Sequence, residues 1–423
     1  MDINITAFVG EDILKVQEDT NAIQSALDTV SKAGGGKVIL TSGNYLIGSI
    51  LMRSNCTLYL QKNTTVKGIR DLAYYDLGDK LAQLQDDRVY LNSKGKKNAS
   101  IDPFSRWSRA LIKFLRVENC GIEGEENVVF DGSNVYDELG EEKFRGPHFV
   151  NVHESKNIFF KNYTLTDSSN WGHAIFTSKN ILCKNLTIIA GHDGVDFLSC
   201  DDVLVEDCTI SSGDDCVAGF DLNNLLVRNC DLNTACNALR IGGNNLVIDS
   251  CNIHGPGKYG HRNFLVLADK IAGVRADISN ARTNMLTCFN YYCDFRYSIR
   301  KPTTGIVIKN CKIDKCDKIY RYDFTIDDVW MINKPMQELI FENNVVADVK
   351  ETSSLISDEQ NLFEFSMRNC KIDLTSDVFI ETDGNSKLTF ENVEFTGNKP
   401  VVCTKKQTDK ILCINCKVDV CVK

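Results

Sequence analysis

Apolar and polar residues alternate along most of this chain in short runs, and the runs are punctuated by a recurring signature. An Asn or Asp is followed by Cys or an apolar residue, and then by alternation. The signature stands at 119, 162, 185, 207, 229, 250 (as Ser-Cys), 310, 343, 369, 392 and 415, and from 162 its steps are 23, 22, 22 and 21 residues. That period is too short for a βα unit and suits a solenoid coil that gives short strands to parallel sheets. The spacing predicts an all-β parallel β-helix. The interval from 250 to 310 is expected to hold two or three coils, one enlarged by a loop. One helix is expected before the coils, over about 19–33. Asp19-Thr20 would cap it, Ala22, Ile23, Ala26, Leu27 and Val30 would share a face, and three glycines at 34–36 would end it. It reads as a plug over the solenoid's first coil. Strands follow at 37–40, 45–51 and 57–60. Two stretches break the pattern, at about 71–109 and 254–300, and long irregular insertions of this kind often wall a functional cleft.

Composition narrows the partners. A solenoid grows in one dimension, so 423 residues are expected to form a single domain over 1–423. A net charge of −9 and a pI near 5.3 argue against a nucleic-acid partner. No apolar run is long enough to span a membrane. Seven of the 18 cysteines (120, 208, 230, 251, 311, 370 and 416) follow the repeated polar residue, where they are expected to stack inward as reduced thiols. Cys413 and Cys416 have CxxC spacing, but no second pair completes a zinc site. MDINITAFVGEDILK lacks a basic, then apolar, leader. The literal expectation is cytoplasmic, and a secreted protein whose leader has been removed would read identically.

The chemistry concentrates at residues 191–220, GHDGVDFLSCDDVLVEDCTISSGDDCVAGF. Asp193 stands in one turn, and Asp214 and Asp215 stand in the next, one repeat later. Stacked coils lie about 4.8 Å apart, so these carboxylates should cluster. Clustered carboxylates raise one another's pKa, which lets an acid and a base coexist. That pairing equips a glycosidase. The plainer alternative is a turn pair that binds backbone amides or a structural cation. Asp196 would orient Asp193 or cap a turn.

The runs DTNAIQSALDTVSKAGGGKVILTSGNYLIGSILMRSNCTLYLQKNTTVKG, DSSNWGHAIF and DGVDFLSCDDVLVEDCTISSGDDCVA resemble family 28 glycoside hydrolases, the polygalacturonase and rhamnogalacturonase group. The likeness extends from about residue 18 to at least 280. It implies a right-handed parallel β-helix, no cofactor or metal, a carbohydrate substrate, and hydrolysis with inversion. By the same likeness Asp214 matches the general acid, and Asp193 and Asp215 match the pair that activates water. The chain also departs from the pattern. Cys236-Asn237-Ala238 replaces Gly-His-Gly, Arg275-Ala276-Asp277 is the nearest match to Arg-Ile-Lys, and a frequent bacterial Lys falls near Phe220. His192 is expected to stand in for the missing His, with His261 second. Arg240, Arg275 and Asn237 are candidate substrate contacts, and Trp171, His173, Phe197 and Phe220 are candidate stacking or bonding partners for a sugar. The loss of cations predicts weak action on plain polygalacturonate. A lyase and a non-catalytic glycan-binding solenoid are the alternatives. Oligomeric state is not legible.

Overall fold

The computed structural model describes residues 1–10, 12–91, 97, 99–276, 284–293, 303–324, 335–405 and 410–422. Every pairing between its named strands is parallel, and equivalent residues stack coil upon coil. One inward column runs Ile158, Ile181, Val203, Leu225, Leu246, Ile306, Leu339, Phe365, Leu388 and Ile411. One apolar core extends from Ile23 to Val418, and a second, smaller cluster gathers Ala174, Phe176, Leu198, Phe220 and Tyr292. The all-β parallel solenoid read from the alternation is therefore present.

The punctuating residues sit where the chain turns, and each has a left-handed backbone. Asn162, Asn185, Asp207, Asn229, Ser250, Asn310, Asn343, Asn369, Asn392 and Asn415 all have φ between 51° and 59°. Asn and Asp tolerate this region better than other residues with a Cβ. Their side chains also bond from coil to coil, as in Asn415 to Asn392 and Asn392 to Asn369, both at 3.0 Å. Asn119 does not belong to this column. It bonds Asn55 at 3.0 Å and accepts from Asn157 at 2.7 Å, which marks a second corner with its own ladder. The two signatures look alike because both corners impose the same backbone.

Three other expectations change. The interval from 250 to 310 is one coil, since Leu246 pairs with Ile306 and Asn252 with Lys312. The expected interruption at 254–300 also contains a coil strand, Met285–Tyr291, which pairs with Asn237–Asp249 and Lys312–Asp323. The helix, here α1, spans Asp12–Lys32. Asp19 is therefore inside it, and its buried carboxylate accepts from the backbone N–H groups of Phe8 and Leu46 at 2.8 and 2.9 Å. Ile23, Ala26, Leu27 and Val30 do form the buried face. Among the described residues no helix is long and apolar enough to cross a membrane.

All 18 cysteines are free thiols. Most are buried, but Cys120 is in register with Ile158 and so leaves the expected column of seven, Cys236, Cys413 and Cys416 are only partly covered, and Cys421 is exposed. Burial pushes the Cys370 thiol up to about 11 and Cys216 up to about 12. Under native, non-reducing conditions a thiol reagent should reach Cys421 first and Cys236, Cys413 and Cys416 slowly, and should modify all 18 after denaturation. Mass spectrometry that finds most of these cysteines in disulfides would overturn the inward column.

Candidate active site

The site forms where the strands Val195–Leu198, Val217–Arg228 and Asn237–Asp249 leave their turns. In a strand every second side chain faces out. Register thus lines up an outer row of Asn151, Ala174, Asp196, Ala218, Arg240 and Asn290 across successive coils. The turn before this row is tightly packed. A Cβ on Gly213 would lie 2.6 Å from the Gly191 carbonyl oxygen and 2.7 Å from that of Gly260, so only glycine fits.

Asp193 and Asp215 occupy equivalent places in consecutive coils, and the Asp215 backbone N–H donates to Asp193 Oδ1 at 3.3 Å. Asn237 Nδ2 donates to Asp215 Oδ1 at 2.7 Å and Arg240 Nη1 to Asp215 Oδ2 at 3.2 Å. The Arg240 guanidinium lies 4.2 Å from the centre of the Tyr292 ring. Asp214 points the other way, toward solvent. Its Oδ2 lies 2.9 Å from His261 Nε2 and accepts from Arg145 Nη2 at 3.3 Å, while its backbone oxygen accepts from the Thr234 hydroxyl at 2.6 Å. Glu142 Oε2 holds Arg145 from behind at 2.8 Å. A cavity of about 320 Å³ opens at this point, lined by Glu142, Gly213, Asp214, Ala235, Cys236, His261, Asn263 and Phe264.

The carboxyl groups divide by environment. Burial raises Asp193 well above the usual carboxylate range, and the charges of Asp214, Asp215 and Asp196 add to this. Burial also raises Asp215, with Asp214 next in effect. Asp196 is pushed up to about 8 by burial, against the opposing guanidinium of Arg240. Burial would raise Asp214 too, but His261, Arg145 and Arg240 outweigh it and hold this carboxyl well below the usual range. The surroundings of Asp214 thus favour its ionised form, and those of Asp193, Asp196 and Asp215 favour the protonated one.

Asp193, Asp196, Asp214, Asp215, Asn237, Arg240 and His261 are therefore brought together, and other candidates are not. His192 is fully buried, neither ring nitrogen has a hydrogen-bond partner, and it meets His261 edge-on at 5.4 Å, so His261 rather than His192 is the imidazole on Asp214. His173 lies in the core with Nε2 2.6 Å from the Tyr163 hydroxyl. Phe197 faces inward, and Phe220 is buried against Tyr292 at 5.1 Å, so neither offers a face to a sugar. Trp171 is partly exposed and packs edge-on against Trp107 at 5.0 Å. Arg275 grips Asp167 with two bonds of 2.9 and 2.6 Å, away from the aspartates, and Asp277 lies outside the described residues. Asp214, Asp215 and Cys236 place potential ligand atoms within 4.8 Å of one another. Arg145 and Arg240 already bond the same carboxylates, which opposes a cation there. Sequence reasoning missed Arg145, because it lies outside every motif, bridged to Tyr136, and reaches Asp214 only through the fold.

Comparison with known proteins gives this constellation a context. Residues 79–242 match the family described as glycosyl hydrolases family 28. The chain resembles that family. A probable polygalacturonase from Vitis vinifera is 27% identical over 194 residues, which are 43% of this chain and 37% of that protein. The chain thus spans little more than a third of the length of the curated relative it matches. The solved family 28 exopolygalacturonase of Yersinia enterocolitica superposes with a TM-score of 0.61 at 15% identity, covering 96% of this chain and 75% of that one. The endo-xylogalacturonan hydrolase of Aspergillus tubingensis superposes with a TM-score of 0.54 at 14% identity, covering 100% and 98%. At these identities the two structures speak for the fold.

Proposed function

We propose that this protein is a glycoside hydrolase acting on a pectin-like or related glycan, with Asp214 as general acid and Asp193 and Asp215 as the pair that activates water. The observation that carries this reading is the cavity mouth. Asp214 alone of the three meets it, backed by two buried carboxyls that favour protonation. The free protein holds Asp214 ionised, so a substrate must change its surroundings before it can donate. A glycosidic oxygen entering the mouth displaces the Arg145 contact that helps to hold Asp214 ionised, so that Asp214 can take up a proton. Closely coupled carboxyls share protons as a set, which lets the buried pair give one up as the acid takes one. Inversion rests on the family resemblance, since carboxylates one coil apart match the shorter spacing usual in retaining enzymes.

The resemblance likewise supports a right-handed coil, and the continuous core supports one solenoid unit over the chain. In this reading α1 plugs its first end, because the helix's apolar face joins the core of the first strands.

The cations at the site are already committed, Arg240 to Asp215 and Tyr292, and Arg145 to Asp214 and Glu142. A desolvated uronate needs a charged partner of its own, and both guanidiniums here already bond carboxylates of the protein. The preferred substrate is therefore a glycan whose sugar at the cut is neutral or only intermittently acidic. Because the relatives bear the names polygalacturonase and xylogalacturonan hydrolase, pectic chains head the panel to test. Reducing-end release at matched concentration and low salt should be faster on mixed or neutral-backbone glycans than on polygalacturonate. Efficient cleavage of plain polygalacturonate would reject this substrate assignment.

A further inference from the structure

A site that binds the middle of a polymer needs an open floor on both sides of the reacting groups. The outer row gives the opposite. On the N-terminal side of Asp196, Lys113, Asn151 and Ala174 are 2%, 0% and 0% exposed; on the other side Ala218 and Asn290 are 0% and 5% exposed. The side chains of Asp214, Arg240 and His261 keep 22%, 20% and 14%. The aspartates thus lie in a pit with one mouth.

What covers the N-terminal side is the end of the first insertion. Its 3-10 turn, Arg106–Ser108, lies on the outer face of the sheet. Lys113 Nζ reaches up from the floor to donate to the Ser108 carbonyl at 2.8 Å and to Asn151 Oδ1 at 2.9 Å. Arg106 fastens the turn to Asp137, through Nε to Oδ2 at 2.8 Å. Trp107 stands edge-on to His148 at 4.6 Å, to Trp171 at 5.0 Å and to Phe176 at 5.7 Å. Trp171 itself is one coil below Asp193, since the Gly172 N–H donates to the Asp193 carbonyl at 2.9 Å. One coil is about 4.8 Å, about the length of one pyranose. Beyond a single sugar on this side, a chain meets the two tryptophans.

We infer that this protein cuts at chain ends rather than within chains, and that Trp107 is the residue that determines this by sealing the N-terminal side of the pit. The inference rests on the hydrolase reading above. A further wall comes from the second insertion. Arg262 donates its backbone N–H to the Gly191 carbonyl at 3.4 Å, and Arg70 and Asn134 bond the carbonyls of Ile271 and Gly273. This strap crosses the turns on the N-terminal side and closes the pit laterally.

The test is the action pattern of wild type, Trp107→Ala and Trp107→Phe on a length series of pectic oligosaccharides labelled at one end and on the parent polymers. Wild type and Trp107→Phe should shorten chains from one end, with reducing sugar accumulating while polymer viscosity scarcely falls. Trp107→Ala should release internal fragments and raise the loss of viscosity per bond cut several-fold. Internal fragments from wild type would overturn the inference and leave the hydrolase reading standing, as would an unchanged end-wise pattern in a folded, active Trp107→Ala. If nothing in the series is cut, the hydrolase reading fails, and binding of the same series by calorimetry judges the pit. Affinity that stops rising after the first few sugars supports a single mouth, and affinity that climbs with every added sugar overturns it.

Discussion

Asp214→Asn should lower turnover on the true substrate by about 10²- to 10⁴-fold, the usual worth of general acid catalysis, and should leave the fold intact. The amide keeps the shape of the carboxyl but cannot deliver a proton. The variant also removes an anion from Arg145, whose side chain is only 4% exposed. Arg145 keeps Glu142 at 2.8 Å and Glu141 at 3.8 Å, so its charge stays compensated and thermal unfolding should shift little. Steady-state kinetics and a melting curve on the same sample separate the two effects. Activity within a factor of two of wild type would remove Asp214 from the mechanism.

The second large effect is on stability. Asp196 has a folded-state pKa of about 8 against an ordinary value of 3.8. In that interval the unfolded chain has lost its proton and the folded protein has not. Stability is thus fully present below pH 4 and falls as pH rises toward 8. Asp196→Asn removes the cost of ionising a buried group. The variant should gain on the order of 2–4 kcal/mol at neutral pH, since each pKa unit is about 1.4 kcal/mol, and should gain nothing below pH 4. Chemical unfolding across pH 4–8 reads this directly, and parallel curves for the two proteins would refute it. The same carboxyl that destabilises the fold also raises Asp193 through its charge, after burial and the charges of Asp214 and Asp215.

The period of the coils was legible because two local rules coincide. Alternation sets the inward face, and a left-handed corner selects Asn or Asp just before it. The rules are local, so they could not tell one corner from another, and Asn119 was placed in the wrong column. The aspartates were legible as well, because they sit in turns of those same coils. The rest of the site depends on contacts between segments far apart in the chain. Arg145 meets Asp214 across 69 residues, and His261 meets Asp214 across 47. No spacing rule reaches so far. His192 looked the better imidazole because it stands where the family has a small polar residue, yet in the fold its ring turns into the protein and is fully buried. Phe197 was misjudged because neighbouring side chains of a strand face opposite ways, and in Val195–Leu198 it is Asp196 that faces out.

The corner amides have one more consequence. From Asn63 to Asn127 the chain spends 64 residues before returning to the same column, and from Asn229 to Ser250 only 21, yet both returns restore register. Each corner works as an index mark, so the length of what is spliced between two marks is free to vary while the core beneath is unchanged. The walls of the pit belong to these spliced segments and the aspartates to the indexed ones. Reach and selectivity can accordingly be rewritten by exchanging loops, without disturbing the acids.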